Sequence, residues 1–173
     1  MSAASALKAA RTAGVSIAID SGDLLLKARA QPAAALIDVL TRHKSGVIPL
    51  LRVGADGWSG EDWLAFFDER AGIAEFDGGL PREIAEVQAF EACVIGWLNR
   101  NPARSPPGRC LRCGGNELAH DPLLPFGTEK SGHAWLHSRC WPTWHADRKA
   151  EAIAALAKLG IMTSGPNQCL SLF

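Results

Sequence analysis

Apolar and polar positions change period several times along the chain, and each change predicts an element. Residues 3–13 place Leu7 among alanines, with Lys8 and Arg11 on the polar side, a short helix closed by Gly14 in the C-cap position. Val15, Ile17 and Ile19 then alternate with Ser16, Ala18 and Asp20, the period of a half-buried strand. Asp20-Ser21-Gly22-Asp23 is turn chemistry, since Gly22 takes the positive φ of a tight hairpin, and Leu24–Ala28 is the returning strand. Pro32 suits the first turn of a helix that runs to about His43, with Leu36, Val39 and Leu40 on one face. Lys44-Ser45-Gly46 reads as a break, followed by a last apolar turn of Val47, Ile48, Leu50 and Leu51.

Residues 53–59 carry no apolar period and read as a linker. Ser59 and Asp62 then form a capping box with Asp in place of the usual Glu, ahead of Trp63, Leu64, Phe66, Phe67 and Arg70 in helical order. Phe76-Asp77-Gly78-Gly79 is a turn, and Pro81 opens a longer helix to about Asn99. Ile84, Val87, Phe90, Val94, Trp97 and Leu98 give that helix an apolar stripe at the spacing of a core face. Asn101-Pro102 to Pro106-Pro107-Gly108 ends it. Pro142 starts a final helix, which Ala146–Leu159 continues with Ile153, Leu156 and Leu159 inward and Gly160 at its close. Residues 162–173 are Ser/Gly/Pro-rich and read as a loose tail.

The predicted fold is α+β and mostly α, with a small helix–hairpin–helix module over 1–52 and a helical domain over 60–161. Formal charge over the 173 residues is zero, which excludes an argument from overall charge for nucleic acid or anionic membrane. The zero hides a pattern. Residues 1–52 hold seven Lys/Arg against three Asp/Glu, residues 53–99 two against ten, and residues 100–173 nine against five. The acidic middle is therefore expected to lie against basic neighbours. No stretch approaches the ~18 apolar residues of a spanning helix, and none resembles a signal peptide. Five cysteines that form no even disulfide framework fit a reducing compartment, and a cytosolic location is expected. Cys169 lies one place too early for a prenylation box.

Four residues carry the clearest chemistry: Cys110 and Cys113, then, after 23 residues, His137 and Cys140. Two such pairs deliver three thiolates and one imidazole to the corners of a tetrahedron, the donor set of a structural zinc ion. Gly114 or Gly115 permits the left-handed turn that aims amides at sulfur. A redox Cys-x-x-Cys would follow a strand and open a helix, whereas this one follows Pro-Pro-Gly and precedes Gly-Gly. His133 and His120 are alternative fourth ligands. His145 is expected to pack or face water on the final helix, and Cys93 to be a small buried hydrophobe. The acidic pairs Asp68-Glu69 and Glu83/Glu86 lack a partner base or nucleophile and read as solvated helix faces. With no phosphate-binding glycine loop, nucleophile elbow or His-Glu-x-x-His, the chain is expected not to be an enzyme.

The Leu7 helix, Gly14-Val15, the Leu24/Leu26 strand and the Leu36…Leu40…His43-Lys44…Ile48…Leu50-Leu51 tail resemble the N-terminal docking domain of the tubulysin synthetase type, found at subunit ends of nonribosomal peptide synthetases. The resemblance covers roughly residues 4–52. It implies that the hairpin edge, through Leu24, Leu26, Lys27 and Arg29, receives an extended segment of a protein partner. The chain beyond residue 52 does not read as a condensation or carrier domain, so partner docking, rather than peptide synthesis, is the expectation that carries over. Residues 68–81 (Asp-Glu-Arg-Ala-Gly-Ile-Ala-Glu-Phe-Asp-Gly-Gly-Leu-Pro), with the later Cys-x2-Cys and Trp-Leu-His-x2-Cys-Trp, resemble uncharacterised alphaproteobacterial proteins encoded on phages, plasmids and other mobile elements. That resemblance implies no activity. The alternative expectation is a nucleic-acid-binding accessory protein of such an element. Arg100, Arg104, Arg109 and Arg112, in a stretch without acids near Trp135, Trp141 and Trp144, would track a phosphate backbone.

Overall fold

The computed structural model describes residues 2–128 and 132–162. Cys169 and nearly all of the expected tail lie outside the described residues. The described chain is mixed α+β, with six α-helices and two antiparallel hairpins. In order they are α1 (Ala3–Thr12), β1 (Ser16–Asp20), β2 (Asp23–Lys27), α2 (Ala34–Arg42), α3 (Lys44–Leu51), α4 (Gly60–Gly72), α5 (Arg82–Arg100), β3 (Leu123–Thr128), β4 (Gly132–His137) and α6 (Trp141–Lys158). Two compact units result. One holds the described residues up to Cys93 together with those from Leu156, and the other holds Val94–Ala155. These units divide elsewhere than at the expected 53–59 linker.

The first unit shows why. Its core gathers Ala6, Leu7 and Ala10 of α1 with Val15, Leu40, Val47 and Leu50. Leu64 of α4 and Leu159 pack on the same cluster. Both are partly buried there, each contributing less than the roughly 1.5–3 kcal/mol of a fully buried leucine, and Leu64 ties α4 to this core. Charge acts in the same direction: Lys8 and Arg11 of the basic first helix pair with Asp68 at 2.9 Å and Glu61 at 3.0 Å on acidic α4.

Local signals set the ends of these elements. At the close of α1, the Gly14 amide donates to the Arg11 carbonyl and the Val15 amide to that of Ala10, with Gly14 at φ 70°. That is a Schellman motif, and the left-handed residue it needs is the glycine. Ser21 and Gly22, at φ 50° and 85°, form a two-residue turn whose twist matches the strands it joins. Ser59 and Asp62 make the expected capping box: the Ser59 amide donates to Asp62 Oδ2 at 2.8 Å and the Asp62 amide to Ser59 Oγ at 3.1 Å.

Three expectations are corrected. Lys44-Ser45-Gly46 does not break the chain; α3 runs through it, and a Cβ on Gly46 would stand 2.9 Å from Ala3 Cβ, so glycine is there for helix approach. The turn at 76–79 begins earlier, as a π-helical stretch over Ile73–Asp77. Ile84, assigned to the core stripe of α5, is 49% exposed, while Ala85, Ala89, Phe90 and Val94 are buried.

Candidate metal centre

The second unit is built around the Cys/His constellation. After α5 and a Pro-containing connection, the chain makes a tight knuckle at Cys110–Gly115. The Gly114 amide donates to the Cys110 carbonyl and the Cys110 amide to that of Gly115, both at 2.8 Å. Gly114 holds φ 70°, so of the two candidate glycines it is the one in the left-handed region. Gly115 serves by being small: a Cβ there would lie 3.4 Å from both Cys113 Sγ and His137 Cε1.

The 23 residues between the two ligand pairs contain a hairpin that the sequence pattern did not reveal. β3 pairs with β4 from Leu123↔His137 to Thr128↔Gly132. The Leu111 amide donates to the Trp135 carbonyl at 2.8 Å, tying the knuckle to β4. His137 is the last residue of β4 and Cys140 ends the single 3₁₀ turn before α6. Knuckle, strand end and helix start thus converge on one point. The ligand atoms of Cys110, Cys113, His137 and Cys140 all lie within 4.8 Å of one another. A tetrahedron with metal–sulfur bonds of about 2.3 Å has edges of about 3.8 Å, so the four donors fit around one ion after small adjustments.

Neither His120 nor His133 belongs to this group. His133 sits opposite Gly127 in the hairpin, with its ring edge-on to Trp135 at 6.2 Å. His145 stacks on Trp141 at 4.7 Å, so it packs rather than ligates. Cys93 is fully buried, and that burial pushes its thiol up to about 12.

The imidazole is oriented from behind. His137 is 1% exposed, with Nδ1 3.4 Å from Cys113 Sγ and Nε2 3.2 Å from the Asn116 carbonyl. An Nε2–H donated to that carbonyl leaves Nδ1 as the ligand atom. Asp121 Oδ2 stands 3.7 Å from Nε2 and pairs with Arg139 at 2.7 Å. Asn116 and Asp121 had no sequence signal, because a short turn in which Leu118 and Asp121 exchange backbone bonds brings the carboxylate back to the ring.

The thiols titrate as a group with too much negative charge for itself. Burial pushes Cys110 up, but amides of Cys113, His137 and Arg112 outweigh it and its pKa falls to about 6. Cys113 is lowered, chiefly by the Gly115 amide. Cys140 is pushed up to about 11, first by burial and then by Cys110 and Cys113. Two sulfurs prepared for charge and a third forced to keep its proton are what a bound cation would resolve.

Around the centre, Cys110, Leu123, Ala134 and Leu136 are buried, and Phe126, Trp135, Trp141 and Trp144 pack on them. Phe126 stacks on Trp141 at 4.1 Å. The tryptophans are thus packing residues beside the site.

The other site residues fall in two groups. Leu24 and Leu26 are half-buried with their side chains toward the N-terminal core, while Lys27 and Arg29 are exposed. Asp20↔Asp23 directly flanks the two-residue turn and is a hydrogen-bonded pair, so Ile17↔Leu26 is a pair whose backbone groups face outward. No described strand adds to the outer edge of β2. Of the four arginines, Arg112 pairs with Asp147, and Arg104 lies over Gly132, where a Cβ would come within 3.2 Å of its Cδ. Among the described residues no helix is long and apolar enough to cross a membrane. Comparison with known protein families, characterised proteins and solved structures finds no match to this chain.

Proposed function

We propose that this chain is a non-enzymatic interaction or adaptor protein that docks an extended partner segment on β2, with a structural zinc ion holding its second unit. The observation that carries the docking reading is the outer edge of β2, which no described strand extends. Main-chain groups of Leu26 face outward there, and Lys27 and Arg29 stand exposed beside them. Strand addition uses such an edge: backbone hydrogen bonds supply affinity and flanking side chains select the partner. The likeness of residues 4–52 to a docking module of peptide synthetases supports the same reading.

Zinc is the ion that three thiolates and one imidazole favour. Four protein ligands leave no position for a reactive water, which supports a structural role. The centre would carry about −1 overall, moderated by Arg139 behind Asp121. We favour docking over the nucleic-acid reading because Arg112 is already paired and Arg104 is laid over the hairpin, which reduces the cationic groups available to phosphates.

The test is affinity capture with the full chain and its Leu26→Pro variant. Proline at an outward-facing position removes the N–H that an added strand needs without removing a β1–β2 hydrogen bond. Loss of partner recovery supports strand addition, and unchanged recovery sinks it. Salt-sensitive binding of DNA or RNA, lost on replacing Arg100, Arg104, Arg109 and Arg112, would favour the accessory-protein reading instead.

A further inference from the structure

Phe76 is 81% exposed, a costly position for a large aromatic ring, with Ile73 at 42% and Ile84 at 49% on the same helix–turn–helix corner. The corner is a built structure. The Gly78 amide donates to the Ile73 carbonyl at 3.0 Å and the Leu80 amide to that of Ala74 at 3.1 Å. Arg82 grips Glu75 at 2.9 Å and Glu86 at 2.8 Å across the turn. A Cβ on Gly78 would stand 2.5 Å from the Ala74 carbonyl oxygen, and Gly79 sits at φ 64°, so both glycines are required by the path of the chain. The π-helical turn that ends here is a form concentrated at functional positions. Packing inside the unit gives no reason for this ring to face outward.

Charge says what covers it. Residues 68–86 hold Asp68, Glu69, Glu75, Asp77, Glu83 and Glu86 against Arg70 and Arg82. Arg82 is held by Glu75 and Glu86, and Arg70 lies over Phe66 at 5.4 Å. Asp77 on one side of the turn and Glu83 on the other have no ion pair among the described residues. Phosphates and anionic lipids are repelled by such a rim, whereas lysine and arginine are drawn to it and stack well on a phenylalanine face.

We propose that this corner docks a basic protein segment, seating an apolar or arginine side chain on Phe76 with cationic neighbours on Asp77 and Glu83. The surface is separate from the β2 edge and does not depend on it. The test selects a random displayed peptide library on the full chain, then measures recovered peptides by fluorescence anisotropy against wild type, Phe76→Ser and Asp77→Lys/Glu83→Lys. Because Phe76 is exposed, Phe76→Ser should melt with the wild type, and the charge variant keeps the ring as a second check. Expected are peptides with Lys or Arg beside an apolar residue, bound at least tenfold more weakly by both variants and weakened by salt. Recovery of only acidic or neutral peptides, undiminished binding by Phe76→Ser, or no recovered peptide at all overturns the proposal.

Discussion

Nδ1 of His137 faces Cys113 Sγ at 3.4 Å, and this pairing makes the histidine the fourth corner of the cysteine cluster. The ring cannot turn away easily, since its other nitrogen is held at the Asn116 carbonyl. Metal analysis of purified protein is expected to find about one equivalent of zinc, the number that one tetrahedral site takes. His137→Ala should lose it, while His120→Ala and His133→Ala retain it. Structural zinc sites contribute on the order of 10 kcal/mol of apparent binding free energy, so chelation should collapse the 94–155 unit. Less than half an equivalent in chelator-free preparations, or full zinc in His137→Ala, would count against the assignment.

Two helical glycines should respond to alanine with opposite sign. Gly46 of α3 faces Ala3 with 2.9 Å for a Cβ, and two short side chains on packed helices have little room to move aside. Gly46→Ala should cost about 1–3 kcal/mol through overpacking. Gly72, the last residue of α4, has helical dihedrals, and a methyl group placed on it would meet no atom within 4 Å. Gly72→Ala should stabilise by about 0.5–1 kcal/mol by restricting the unfolded chain. Denaturant melts of the two variants check both signs.

Ser59 opens α4 with both halves of a capping box in place. Ser59→Ala should cost about 1 kcal/mol, because the Asp62 amide and one carboxylate contact lose their partner together. Ser59→Thr, which keeps the hydroxyl that donates to Asp62, should recover much of the loss, and equal melting of all three proteins would show that the cap contributes nothing.

Cys93 links stability to alkaline pH. Burial raises its folded pKa to about 12, above an unfolded value near 9.0. The stabilisation is therefore fully present below about pH 9 and is lost as pH rises toward 12, because unfolding lets the thiol ionise. Cys93→Ala should flatten this part of the stability curve, measured by denaturation between pH 8 and about pH 10.5.

Where local chemistry decides, residues and structure agree. Gly14 ends a helix, Gly22 turns a hairpin, Ser59 and Asp62 begin α4, and Pro142 lies in the first turn of α6. Each acts within a few residues of itself, so its effect is readable along the chain. The β3–β4 hairpin was not readable. Leu123-Leu124-Pro125-Phe126-Gly127-Thr128 has neither clean alternation nor freedom from proline and glycine, and its strand character comes from pairing with β4.

By itself the sequence determined the mixed, mostly helical class, the N-terminal elements and the cysteine and histidine candidates for a metal cluster, because caps, turns and ligand types are local and chemically distinctive. Tertiary structure alone decided that His137 and not His133 or His120 joins the cysteines, since strand register sets which imidazole reaches the knuckle. It also decided that α4 belongs with the N-terminal core and that Ile84 and Phe76 face outward. Periodicity defines an apolar stripe, but only the packed neighbours determine how much of that stripe is covered.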